Sequence, residues 1–148
     1  MLLAFDPGRE TGWAVLSSDG VLLSSGVGSI KSCSRKELLE ELEGTFGTWP
    51  ITSIAMEEMI AYGSNTDSEK FKVEAIIELW AEQNNFKITS MHPSTVKKLI
   101  TGRGNCKKAD MRRGLKDRVE IPKRSNPHIV DAVAVGLAYL IQHEDYLL

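Results

Sequence analysis

Four side chains suited to binding a divalent cation or handling a proton stand at the borders of apolar stretches: Asp6, Glu57, His128 and Asp131. Asp6 closes Leu2-Leu3-Ala4-Phe5 and is followed at once by Pro7-Gly8. A short apolar run stopped by a chain-turning pair reads as a buried strand, which leaves Asp6 where the sheet meets solvent. Taken alone, an Asp beside Pro-Gly is an ordinary turn former. Glu57 and Glu58 close Ser53-Ile54-Ala55-Met56 in the same manner. Adjacent strand residues face opposite sides, so only one of this pair belongs with Asp6, and Glu58 is expected to be an exposed neighbour. His128 and Asp131 follow Asn126-Pro127, an N-cap with proline at the first helical position, and their spacing puts both on one face of the first turn. Three carboxylates and an imidazole gathered at one edge need a counter-ion, and hard cations such as Mg2+ prefer oxygen ligands. Two such ions about 4 Å apart stabilise the attacking and leaving oxygens of an in-line phosphoryl displacement.

These residues meet only if the elements between them place them together. Residues 11–17 (TGWAVLS) and 21–27 read as strands joined by an Asp19-Gly20 hairpin, which makes the opening a three-stranded antiparallel meander. Ser34 and Glu37 have the capping-box form and precede a helical stripe of Leu38, Leu39, Leu42 and Phe46, ended by Trp49-Pro50. Residues 53–56 are a fourth strand. Thr66 with Glu69 is positioned to cap a long helix reaching about Asn84, with Phe71, Ala75, Ile76, Leu79 and Trp80 as its apolar positions. Residues 86–91 form a fifth strand. A short helix from Pro93 stops at Gly102, and a basic helix covers about 107–119. The final helix, rich in Ala, Val, Leu and Ile to about Ile141, is expected to be buried. Trp13, Trp49 and Trp80 read as packing residues, and His92 and His143 receive no role. The order βββαβαβαα, without internal repeat or linker, predicts one mixed-sheet α/β domain over residues 1–148. In such a sheet the first and fourth strands can lie parallel and adjacent, which would bring Asp6 and Glu57 to one edge.

Composition narrows the class. The chain has 148 residues, 42% of them hydrophobic and 26% charged, in keeping with a soluble globular domain. Cys33 and Cys106 have no metal-like spacing and read as reduced thiols. No apolar run is long enough for a membrane span and no leader precedes the first strand, so a cytoplasmic protein is expected. Net charge is only −2, but residues 97–124 carry eleven Lys/Arg against three Asp/Glu, a local net of +8. Such asymmetry is expected of a polyanion-binding region set beside an acidic one.

FDPG, then TGWAVL, AMEE and PHIVDAVAVGLA, in that order from Leu2 to Ala138, resemble the RuvC-type Holliday junction resolvases. The resemblance implies an RNase H-like fold: a mixed five-stranded sheet, three antiparallel strands then parallel ones, flanked by helices. It implies a homodimeric endodeoxyribonuclease that resolves four-way or branched DNA with two Mg2+ ions, Mn2+ substituting, in the cytoplasm of a cell or of a virus's host. Asp6, Glu57 and Asp131 match the family's catalytic and metal-binding acids, and His128 stands where members carry Asp or His. Lys97, Lys107 and Lys108 match segments that contact DNA. The stretch Asn65-Thr66-Asp67-Ser68 resembles the start of the helix that mediates the family's dimer. An aromatic common three residues after the glutamate is Ile60 here, which leaves Tyr62 as the nearest ring to reach the junction. An RNase H-like nuclease acting on flaps or RNA–DNA hybrids is the nearest alternative. An actin-like ATPase would need further Gly-rich phosphate loops that this chain lacks, and a metal-free scaffold relative would have lost the acids.

Overall fold

The apolar run ending in Asp6 forms β1 (Leu2–Asp6), the middle strand of a five-stranded sheet. The computed structural model describes residues 1–29, 34–58 and 68–143. Its elements are, in chain order, β1, β2 (Glu10–Leu16), β3 (Leu22–Ser29), α1 (Arg35–Phe46), β4 (Ser53–Glu57), α2 (Ser68–Gln83), β5 (Lys87–Met91), α3 (Pro93–Thr101), α4 (Lys108–Lys116) and α5 (Pro127–Gln142). The strands lie in the order β3-β2-β1-β4-β5. β1, β2 and β3 pair antiparallel, whereas β1–β4 and β4–β5 pair parallel, as the sequence leads one to expect. The hairpin at Asp19-Gly20 closes with Gly20 N–H on Ser17 O and Ser17 N–H on Val21 O, both 3.0 Å. Gly20 takes φ 83°, a left-handed conformation that glycine adopts without a Cβ penalty.

Period-two alternation along β1 sets the layers. Leu3 and Phe5 face one side, where Val15, Ile54 and Met56 join Leu38 and Phe46 of α1 and Val73, Ile76, Ile77 and Trp80 of α2. Leu2 faces the other, with Ala14, Leu16 and Ala55 beneath α5, α3 and α4. Small residues under α5 let that helix lie close to the sheet. A Cβ on Gly136 would stand 2.2 Å from Leu16 Cδ1 and 3.1 Å from the Cβ of Ala4. Ten residues of α5 are buried, in line with its almost uninterrupted apolar sequence.

The end of α4 differs from the sequence reading for a local reason, whereas the end of α2 agrees with it. α4 is shorter than residues 107–119: it stops at Lys116 with Asp117 as C-cap, although Val119 remains buried and donates its N–H to Leu115 O. α2 ends in a Schellman arrangement. Phe86 N–H bonds Ala81 O, Asn85 N–H bonds Glu82 O, and Asn85 takes φ 57°. Its apolar residues also divide differently. Val73 and Ile77 fill the buried face with Ile76 and Trp80, while Phe71, Ala75 and Leu79 are exposed along another. The proposed Thr66 cap lies outside the described residues.

Candidate metal centre

Phe5 pairs with Met56 across the parallel β1–β4 ladder, so Asp6 and Glu57 each follow a paired residue at the same edge. Ala55 lies on the α5 side, and Glu57, two residues on, shares that side with Asp6. The turn after Asp6 is held by Thr11, whose hydroxyl donates to Gly8 O at 3.0 Å and accepts from Gly8 N–H at 3.3 Å. Glu58 is exposed and uses its backbone N–H to bond Met91 O at 2.7 Å, as suits a residue facing away.

The other half of the site arrives on α5. Asn126 accepts from His128 N–H at 2.8 Å and so fixes the helix start, a cap worth about 1 kcal/mol. The helix can reach the site because residue 12 is glycine: a Cβ there would stand 2.0 Å from His128 O and 2.3 Å from its carbonyl carbon. His128 Nδ1 then lies 3.3 Å from Asp6 Oδ2, and ligand atoms of Asp6, His128 and Asp131 all fall within 4.8 Å of one another. His128 Nε2 points the other way, 3.4 Å from Glu10 Oε2.

Electrostatics follow from crowding in a partly buried place. Burial pushes the Asp6 carboxyl above its ordinary range, opposed by His128 and the Lys70 charge. Asp131 is raised by burial and then by the Asp6 charge. Glu57, raised by burial and next by Asp6, reaches about 7, with Lys70 and Lys97 acting against the shift. Glu57 is not one of the tight trio, yet it feels both Asp6 and Asp131. All three acids resist ionising in their buried setting, and Glu57 and Asp131 resist it further beside Asp6, a condition that a bound cation reverses. Three carboxylates with one imidazole form a donor set suited to a divalent metal ion.

A cavity of about 240 Å3 opens from this cluster, lined among others by Glu57, Asp131, Lys97, Lys108 and Arg112. The structure thus brings Lys97 and Lys108 to the acids. Lys107 is exposed at the N-cap of α4, its backbone N–H bonded to Asp110 Oδ2, and does not line the cavity. Tyr62 lies outside the described residues. Three residues near the site were not singled out from sequence. Glu10 and Lys70 line a neighbouring recess with Asp6 and His128, and Arg112 lines the cavity itself. Its neighbour Arg113 does pair along the helix, 2.6 Å from Asp110. His92, left without a role, caps α3 through Nδ1, which accepts from Ser94 N–H at 3.1 Å.

A twisted mixed sheet carrying an acid cluster at the β1–β4 edge defines a nuclease-like member of the RNase H-like class. The model of crossover junction endodeoxyribonuclease RuvC matches residues 2–139, and the chain belongs to this RuvC family. The crossover junction endodeoxyribonuclease RuvC of Ehrlichia canis is 24% identical over 98% of this chain and 99% of that protein. Its counterpart from Akkermansia muciniphila is 28% identical over 94% and 89%. Among solved structures, Thermus thermophilus RuvC superposes with a TM-score of 0.82 at 18% identity, covering 97% of this chain and 95% of the other. The Fowlpox virus resolvase, solved with Holliday junction DNA, gives 0.60 at 12% identity, over 96% and 99%. Among the described residues, no helix is long and apolar enough to cross a membrane.

Proposed function

We propose that the chain is a structure-selective endodeoxyribonuclease that hydrolyses phosphodiesters in four-way or branched DNA. The observation that carries this is the convergence of Asp6, His128 and Asp131 within 4.8 Å, with Glu57 at the end of the adjacent β4, beside a cavity walled by Lys97, Lys108 and Arg112. Asp6, Glu57, His128 and Asp131 would hold two Mg2+ ions, with Mn2+ as a substitute. When bound, such ions supply Lewis acidity for the scissile phosphate and a nucleophilic hydroxide near neutral pH. The cationic wall offsets the phosphate charge next to the acids and sets the strand's position. Family membership and the relatives' names favour four-way junctions over flaps or RNA–DNA hybrids as the substrate.

A symmetric junction needs two cuts, and α2 offers the means of pairing two copies. Phe71, 40% exposed, Ala75 and Leu79, 39% exposed, recur every fourth residue on the helix side turned away from the sheet. That second apolar stripe supports a homodimer with two sites related by a two-fold axis. The test is competitive cleavage of four-way junctions, flaps and RNA–DNA hybrids by wild type and Asp6→Asn. Preferred paired nicks in junctions by wild type are expected, with cleavage lost and binding retained in the variant. Faster cutting of hybrids or flaps would overturn the substrate reading, and near-wild-type nicking by Asp6→Asn would overturn the site.

A further inference from the structure

We infer that Glu10 is a positioning residue that selects the imidazole tautomer of His128 and so presents Nδ1 to the metal site. This rests on the proposed metal-dependent reading and adds to it a residue from outside the three acids and one histidine of that site. The two ring nitrogens of His128 face two different carboxylates: Nδ1 is 3.3 Å from Asp6 Oδ2, and Nε2 is 3.4 Å from Glu10 Oε2. A neutral imidazole has one N–H and one lone pair, so it can donate to only one of them. Nδ1 is the nitrogen that faces Asp6, one of the two acids grouped with His128, and a metal held between them requires its lone pair. The proton then belongs on Nε2, the nitrogen Glu10 faces. Metal-ligating histidines commonly donate their other N–H to a carboxylate, which fixes ring orientation and raises ligand basicity.

The surroundings favour this division. Asp6 is the more enclosed partner, its side chain 13% exposed against 55% for Glu10. Glu10 lies outside the group of Asp6, His128 and Asp131 and so remains available to accept from Nε2 when that group holds a metal. The backbone holds Glu10 in place from the opposite side of the ring: it is the first residue of β2, paired with Ser29, and follows a turn pinned by Thr11 on Gly8. The adjacent Arg9 side chain is tied to Glu69 of α2 at 2.7 Å, which steadies the segment. The ring itself is fixed at the start of α5 by the Asn126 cap.

Nitrogen NMR of the metal-free full chain at mildly alkaline pH reads the tautomer, and titration with Mn2+ reads affinity without any turnover. Wild type should show a protonated Nε2 and a pyridine-like Nδ1. Glu10→Ala should move the proton toward Nδ1 and weaken Mn2+ binding by about 10- to 100-fold, the usual effect of losing such a partner. Glu10→Gln, which retains an acceptor oxygen, should keep the wild-type tautomer and most of the affinity. Glu10 begins a strand and is exposed, so circular dichroism should report unchanged folding in both variants. A protonated Nδ1 in wild type overturns the inference, as does a Glu10→Ala protein whose tautomer or Mn2+ affinity is unaltered. Junction cleavage by wild type is scored separately, so failure of the substrate reading is distinguishable from failure of the tautomer assignment.

Discussion

Glu57 is a carboxylate whose ionisation is opposed first by burial and then by the Asp6 charge. Its folded value of about 7 stands well above the ordinary 4.5, so between those values the native chain holds a proton that the unfolded chain has released. Stability is therefore present in full below about pH 4.5 and is lost as pH rises through 7. The shift corresponds to roughly 3 kcal/mol for Glu57 alone, and the raised Asp6 and Asp131 act in the same direction. In chelator, the melting temperature of wild type should fall from pH 5 to pH 8, and added Mg2+ should restore it. Glu57→Gln should flatten this fall and be the more stable protein at pH 8. Parallel curves for the two proteins would mean that neither burial nor the neighbouring acids raise Glu57 in the folded chain. At this scale much of the site could be read directly. Asp6 and Glu57 end apolar runs, and the spacing of His128 and Asp131 behind Asn126-Pro127 leaves them only one shared face. Glu10 was not legible, because a charged residue just after a turn has no periodicity to mark it. Lys70 lies on a helix whose register relative to the acids depends on tertiary packing.

The elements act through close approach. Gly12 allows the first turn of α5 to rest on β2, and no side chain fits between them. Gly12→Ala should cost about 1–3 kcal/mol through overpacking and should also weaken Mg2+ binding, since His128 and Asp131 move with the helix. Denaturant titration and calorimetric metal titration measure the two effects, and an unchanged affinity would show that α5 can shift without disturbing the site. The sequence marked Gly12 only as part of a Thr-Gly-aromatic strand; its reason appears once the His128 carbonyl is seen above it. α2 shows the converse. Its composition advertised more apolar residues than one face needs, but only packing distinguishes Val73 and Ile77, which are buried, from Phe71 and Leu79, which are not. Replacing Phe71 and Leu79 together with Glu should yield a monomer by sedimentation while leaving the fold intact. A dimer that survives this double change would place the interface elsewhere.

Across the whole molecule, charge is segregated. The segment 97–124 with its local net of +8 is folded as α3, the following loop and α4, and it lies beside the acid cluster. DNA affinity should fall steeply with salt despite the net charge of −2, each phosphate contact contributing about 0.9 to the log–log slope. Lys97→Ala and Lys108→Ala should each flatten that slope by about one contact, whereas Lys107→Ala, exposed outside the cavity, should flatten it less. Equal slopes for all three variants and wild type would mean that α3 and α4 face away from the duplex. The strand order and the parallel β1–β4 pairing were legible because an antiparallel meander followed by β-α-β has few right-handed solutions. The end of α4 was not, since it depends on the local cap at Asp117.

Asp6 and His128 are separated by 122 positions in the chain and meet only when α5 has docked. During synthesis, a chain extended through α4 already carries Asp6, Glu57 and the lysines, but it has neither His128 nor Asp131. On the proposed function, such a chain would carry its DNA-contacting lysines before it carried a complete metal site. Chains truncated before α5 should therefore bind no Mn2+ and cut no DNA, because the proposed site is completed only by the last described helix.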